Sequence, residues 1–278
     1  MRVAVLSGKG GAGKTFAAVN LAAAAPKAVY IDCDVEEPNG RLFLKPEAIT
    51  VRKVSTLLPT FDADKCIGCR KCVEFCRFNA LAFLRKKPMV FPEVCHSCGG
   101  CALVCPTGAV SETERPIGVV ERGTHKQVTA ITGVLDLGES SGVPIIGEAL
   151  KEGFAAGETV IIDCPPGSAC PVVESVQQSD FCVLVAEPTA FGLHNLKMVY
   201  ELVRILKKPC GVFINKMDGR YEPLETFCQQ EDLPVLARIP YDPELAAMGA
   251  AGRIIAEESP EAGKLFADIL DRIGGAAR

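Results

Sequence analysis

Gly8-Lys9-Gly10-Gly11-Ala12-Gly13-Lys14-Thr15 sets two lysines among four glycines. Glycines let backbone N–H groups close around phosphate oxygens, Lys14 adds a point charge, and the Thr15 hydroxyl can ligate Mg²⁺. The spacing satisfies G-x-x-x-x-G-K-[ST] between an apolar β-branched run (Arg2 to Leu6) and an alanine-rich helical run (Thr15 to Ala25), the context such a loop requires. A plain glycine-rich turn is the alternative, and that context argues against it. The nucleotide contacts expected from the motif are Gly8, Gly10, Gly11, Ala12, Gly13, Lys14, Thr15 and Phe16. Lys9 adds a second cation to an already anion-seeking loop, too early to be the usual phosphate lysine.

The second chemical signature is thiol. Cys66-x2-Cys69-x2-Cys72-x3-Cys76 and Cys95-x2-Cys98-x2-Cys101-x3-Cys105-Pro106 repeat one spacing at a constant offset of 29, down to Ala80 and Ala109. This is the bacterial ferredoxin spacing, in which the fourth cysteine of each run serves the other cluster. Cys66, Cys69, Cys72 and Cys105 are thus expected on one [4Fe-4S] cluster, and Cys95, Cys98, Cys101 and Cys76 on a second, as low-potential electron carriers. Zinc is the rival metal, but four thiols in so short a run are too dense for one tetrahedral ion. Arg77 stands where the second run has Pro106, so the first turn departs from the ideal. Residues 57–112 hold seven Lys/Arg against five Asp/Glu in a chain of net charge −4. The surplus offsets cluster charge, although Lys86 and Lys87 read equally well as solvated side chains.

The elements that must position these residues alternate. Ala28 to Ile31, Thr159 to Ile162, Phe181 to Ala186 and Gly211 to Ile214 are short continuous apolar runs, as strands covered on both faces should be, and Leu193 to Leu206 has a helical pattern. The expectation is α/β: a doubly wound, mostly parallel sheet of P-loop type over residues 1–56 and 113–278, interrupted at 57–112 by a small α+β ferredoxin-like module. Two further strands are expected around Ile117 to Glu121 and Val128 to Leu137.

Lys9 to Thr15 reads K-G-G-x-G-K-[ST] and so resembles the deviant Walker A ATPases, the family of MinD, ParA, Mrp and the nitrogenase iron protein. The resemblance implies an ATP-dependent homodimer in which Lys9 reaches the partner's phosphates. It also implies a catalytic set of Lys9, Lys14, Asp34 and Asp163. Asp32-Cys33-Asp34 is similar to the family's switch I, with Asp34 acting on the attacking water. Asp163-Cys164-Pro165-Pro166-Gly167 is similar to switch II, with Asp163 and Thr15 serving Mg²⁺. Asn215, Lys216 and the segment around Pro240 fall where relatives read adenine. The stretch from Glu187 to His194 resembles the superfamily members that contain an inserted ferredoxin domain.

Composition narrows the function classes. With 48% hydrophobic residues and 23% charged, the chain is globular, and its acidic balance makes nucleic acid an unexpected partner. No apolar run reaches the roughly 20 residues of a membrane span, so a cytoplasmic protein without a membrane partner is expected. Leu265, Phe266, Ile269, Leu270 and Ile273 share a face of a C-terminal helix whose other face is mixed in charge, favouring docking on the domain over a lipid surface. His194 is expected at a helix cap or in the core. Cys33, Cys164 and Cys170 are open between redox sensing and small apolar packing. The reading favoured is a dimeric ATP switch coupled to a two-cluster electron-transfer module acting on a protein partner. An iron-sulfur or metal-cofactor assembly ATPase and a ParA/MinD-type positioning ATPase with redox sensing are the alternatives.

Overall fold

The computed structural model describes all residues except Lys86, Glu158, Ala277 and Arg278, so the reading of Lys86 as a solvated side chain lies outside the described residues. The strands are β1 (Arg2–Leu6), β2 (Ala28–Asp32), β3 (Glu47–Phe61), β4 (Leu81–Leu84), β5 (Lys87–Val90), β6 (Val110–His125), β7 (Val128–Leu135), β8 (Val160–Asp163), β9 (Phe181–Ala186), β10 (Cys210–Met217) and β11 (Val235–Pro240). Among the described residues nine of them form one sheet in the order β11-β10-β9-β1-β8-β2-β7-β6-β3, and β4 pairs with β5 alone. From β11 to β7 every pairing is parallel; β6 and β3 add antiparallel strands at the edge.

The helices are α1 (Lys14–Ala24), α2 (Gly40–Leu44), α3 (Lys71–Phe75), α4 (Gly100–Leu103), α5 (Val143–Ala156), α6 (Cys170–Val176), α7 (Ala190–Ile205), α8 (Glu222–Gln230), α9 (Pro243–Ala250), α10 (Ile255–Glu258) and α11 (Pro260–Ala276). Alternate strand residues feed two cores. Ala4, Leu6, Ile162, Leu184 and Ile214 pack with residues of α5 to α8 on one face. Val3, Val5, Ile161, Val183 and Phe213 pack with α1, α10 and α11 on the other. Burial on both faces explains the continuous apolar runs of the central strands.

β3 is the element the sequence leaves hidden. It is an edge strand of 15 residues in which Val54 and Pro59 alone are buried, so it lacks the apolar run that marks β8 or β9. With β6 it makes a ribbon whose ladder closes at Phe61↔Val110, and the cysteine-bearing segment 62–109 hangs from that end. The expected module edges at 57 and 112 fall inside the ribbon. The ladder shifts register between Val54 and Ser55, opposite Pro116 to Gly118. Beyond that shift β6 has no β7 partner, because its pairing with β7 begins at Gly118↔Leu135. The ribbon therefore divides into a part held in the sheet and a two-stranded arm.

At the other end of the chain, α11 buries Phe266, Ile269, Leu270 and Ile273. Phe266 meets Phe16 at 6.3 Å and Phe213 at 6.1 Å between ring centroids. Arg272 donates to the carbonyls of Leu236 and Val235 at 2.8 and 3.0 Å. Leu265, expected on the apolar face, is instead 38% exposed, because the docked stripe is narrower than the sequence pattern. Phe266→Ala should destabilise the fold by roughly 3–5 kcal/mol in urea unfolding; an unchanged midpoint would mean that α11 is not part of the core.

Candidate nucleotide site and cysteine cavities

The phosphate loop runs from the carboxyl end of β1 into α1. Gly11 and Gly13 have φ of 83° and 97°, a region that strains any residue with a Cβ. At Gly13 a Cβ would also stand 2.0 Å from the Asn215 amide. The loop borders a cleft of about 600 Å³ lined by Lys9, Lys14, Thr15, Asp34, Pro165 and Pro166 among others. The structure thus brings together the loop and the two Asp segments expected from the sequence, at the carboxyl ends of neighbouring strands, where ligands of open α/β sheets bind.

Lys14 is buried and donates to Asp163 Oδ1 at 2.9 Å, with Asp34 Oδ2 at 3.7 Å. Burial alone would lower the ammonium pKa, but Asp163 and Asp34 outweigh it and keep the group protonated above the ordinary lysine range. Asp34 is raised by burial, a shift that Lys14 opposes and Asp163 reinforces. Asp32 is fully buried and accepts from the backbone N–H of Gly40 at 2.9 Å and of Asp34 at 3.2 Å, fixing the turn that carries Asp34. Burial, with the neighbouring Asp163, pushes its carboxyl up to about 8.

Lys9 lies on the outer side of the loop, bonded to Glu187 Oε2 at 2.6 Å and 5.2 Å from the Phe191 ring centroid. Glu187 also accepts from Lys216 at 2.8 Å, and Lys216 reaches the Gly11 carbonyl at 2.6 Å. Burial would raise the Glu187 carboxyl, yet the bonds from Lys216 and Lys9 hold it below the usual carboxylate value. Asn215 donates to the Ala12 carbonyl at 3.0 Å. Beside it, Phe16, Pro240, Tyr241 and Leu245 border a second depression of about 140 Å³, continuous with the end of the phosphate loop at Gly13. Asn215 and Lys216 therefore brace the loop backbone, and Pro240 stands at the mouth of this depression.

Tyr30 and Glu187 have site contacts that sequence reasoning missed. Tyr30 sits in a buried apolar run and reads as core; in the sequence Glu187 stands out only as the first residue of the stretch to His194. Cys33 and Cys164 are fully buried, and burial drives both thiols far up, which favours the packing reading over redox sensing. Cys170 is exposed. His194 neither caps nor enters the core: it is exposed, and α7 begins earlier than expected, capped by Thr189, whose Oγ1 accepts from Gly192 N at 2.9 Å.

The eight cysteines divide between two cavities. Cys66, Cys69, Cys72 and Cys105 line one, with Phe61 and Phe83; Cys76, Cys95, Cys98 and Cys101 line the other, with Phe75 and Phe78. The backbone repeats the offset of the sequence. Left-handed φ occurs at Gly68, Arg70 and Asn79 and again at Ser97, Gly99 and Gly108. The bonds from Asp62 N to Ala109 O and from Phe91 N to Ala80 O, both 2.8 Å, are also counterparts at that offset. Among the described residues no three His, Cys, Asp or Glu side chains are set to hold a single metal ion; the thiols surround spaces instead. Ala109 N donates to Cys105 Sγ at 3.3 Å, and such N–H donors stabilise a thiolate.

A phosphate-loop fold with acidic strand ends defines a nucleotide-binding protein of the parallel α/β class. Residues 3–255 match the model of the CobQ/CobB/MinD/ParA nucleotide-binding domain, and the chain belongs to that family. Two uncharacterized proteins of Methanocaldococcus jannaschii are each 28% identical over 221 residues, 78% of this chain and 78% and 80% of theirs. The fold is that of the septum site-determining protein MinD of Pyrococcus horikoshii, solved with Mg-ADP, with a TM-score of 0.61 at 18% identity over 100% of this chain and 98% of that one. A ferredoxin of M. jannaschii is 36% identical over 53 residues, 18% of this chain and 69% of its own.

Asp32 yields a pH prediction. A carboxyl near the ordinary value of about 4 when unfolded, and near 8 when folded, binds more protons in the native state across that window, so it stabilises the fold at low pH and loses that contribution as pH rises. Thermal unfolding of the nucleotide-free protein should therefore show a midpoint falling between pH 5 and pH 8, and Asp32→Asn should flatten the slope. An identical slope in the variant would assign the effect elsewhere.

Proposed function

We propose that this protein is an ATP-hydrolysing dimeric switch coupled to two [4Fe-4S] clusters that pass electrons to or from a protein partner. The observation that carries the reading is the sorting of the cysteines: each cavity is lined by the quartet that the interleaved ferredoxin spacing assigns to one cluster. Thiols around a space suit a polynuclear group better than one ion, and the partial likeness to a ferredoxin supports the same assignment. The clusters, held by these eight thiolates, would supply one-electron transfer.

In the nucleotide site the chain's own groups divide the work of phosphoryl transfer, which rests on positioning and charge more than on covalent help. Loop N–H groups and Lys14 hold the phosphates. Mg²⁺, served by Thr15 directly and by Asp163 through water, would neutralise phosphate charge. Asp34, raised by burial, orients the water that attacks the γ-phosphorus as the bond to the β-phosphate oxygen breaks. Lys9, once released from Glu187, reaches the phosphates of a second copy of the chain.

A continuous set of contacts supports coupling between the cleft and the arm. Val35, beside Asp34 in the cleft, accepts through its carbonyl from Leu135 N at 2.9 Å. The loop that follows β7 carries Glu139, which takes both guanidinium nitrogens of Arg115 at 2.7 and 2.5 Å. Arg115 lies at the base of the arm that bears the cysteines. A shift of the Asp34 turn is thereby transmitted to the ribbon. The positioning and assembly readings gain no comparable observation.

Three measurements test this reading. Protein purified without oxygen should carry about eight iron atoms per chain, and Lys14→Ala should abolish ATP hydrolysis. Iron-free protein or undiminished turnover would overturn the corresponding half of the reading. Arg115→Gln should keep hydrolysis while the nucleotide-dependent change in hydrogen exchange over residues 55–61 and 110–116 disappears. If that change persists, the coupling route runs elsewhere.

A further inference from the structure

Asp163 has two partners of unlike kind. Its Oδ1 accepts from Lys14 at 2.9 Å, and its Oδ2 accepts from the Tyr30 hydroxyl at 2.9 Å. Lys14 is a flexible side chain at the edge of the cleft whose charge phosphate would attract away. Tyr30 cannot follow. It is fully buried in the core between the sheet and α1, and Gly40 lies so tightly over it that a Cβ there would meet the phenol oxygen at 2.2 Å. Gly40 is in turn tied through its N–H to Asp32. One tyrosine thus touches the Asp163 carboxylate and packs under Gly40, the first residue of α2, whose N–H holds Asp32.

We propose that Tyr30 is the positioning residue of this nucleotide site: its hydroxyl holds the Asp163 carboxylate in place when Lys14 turns to phosphate, leaving Oδ1 to serve the metal's water. This inference rests on the nucleotide reading above. Being protonated, the phenol donates; burial and the adjacent Asp163 keep it so by raising its pKa. Without it, a fully buried carboxylate would lose its one immobile donor at the moment its mobile donor leaves, and would be free to rotate out of place.

Tyr30→Phe removes only the hydroxyl and preserves ring volume, which makes it the direct test. A fluorescent ATP analogue is titrated onto wild type and variant, first in EDTA and then with increasing Mg²⁺. The expected result is unchanged metal-free affinity with the Mg²⁺ concentration for half-maximal tightening raised by about tenfold, the scale of one lost hydrogen bond to a charged group. In steady-state hydrolysis kcat should fall while KM for ATP stays put at saturating Mg²⁺. An equal Mg²⁺ requirement in both proteins, even with a lower melting temperature in the variant, would make Tyr30 merely structural and overturn the proposal. Wild type that binds no nucleotide at all would overturn the underlying reading as well. If Tyr30→Phe is unstable, Gly40→Ala, which must displace the phenol, should raise the same Mg²⁺ requirement, and its failure to do so would count equally against the proposal.

Discussion

Lys14, Tyr30, Asp32, Asp34 and Asp163 gather beside the carboxyl ends of β2 and β8, three acidic side chains and one ammonium, with Asp32 and Asp163 fully buried and Asp34 at the edge of the cleft. In low dielectric such an excess of one sign is costly unless every oxygen has a donor. The fold provides them: two backbone N–H groups to Asp32, the phenol and the ammonium to Asp163. The parallel register of β2 and β8, which sets Asp32 opposite Asp163, makes this crowding unavoidable. The requirement for Gly40 and the position of Tyr30 follow from it. Under the proposed function, a Mg-nucleotide entering the cleft would relieve this electrostatic load, its metal facing the carboxylates and its phosphates facing Lys14.

A second balance operates on the outer side of the loop. Glu187 pairs with both Lys9 and Lys216, so the extra lysine does not face solvent unpaired. Under the dimeric reading this contact must open before Lys9 can act on another copy, which ties assembly to the arrival of negatively charged phosphate. The cysteine-bearing segment stays clear of this chemistry. It is carried on a ribbon beyond the last parallel strand, where thiols can surround their own cavities without disturbing the sheet.

What the sequence made legible was local. The phosphate loop and both cysteine runs are contiguous, so their candidate donors can be picked out from spacing, and the ferredoxin spacing already pairs Cys105 with the first run and Cys76 with the second, the grouping seen in the two cavities. The central strands were equally plain because burial on both faces leaves unbroken apolar runs. What stayed hidden depends on topology. Tyr30 reads as a core aromatic until β8 delivers Asp163 to it, and Arg115 and Glu139 are unremarkable charges until the ribbon and the β7 loop meet. β3 was missed because an edge strand this exposed carries little apolar signal, and His194 was misjudged because α7 begins a turn earlier, at the Thr189 cap.

The account stands on electron carriers and a nucleotide switch sharing one chain and influencing one another. The most direct measurement is an anaerobic redox titration followed by electron paramagnetic resonance, run with saturating Mg-ADP and again with a slowly hydrolysed Mg-ATP analogue. The account predicts two reducible centres per chain, close enough to broaden one another's signals, and a midpoint potential or line shape that differs between the two nucleotides. Spectra and potentials that are superimposable, or the absence of any reducible centre, would contradict it.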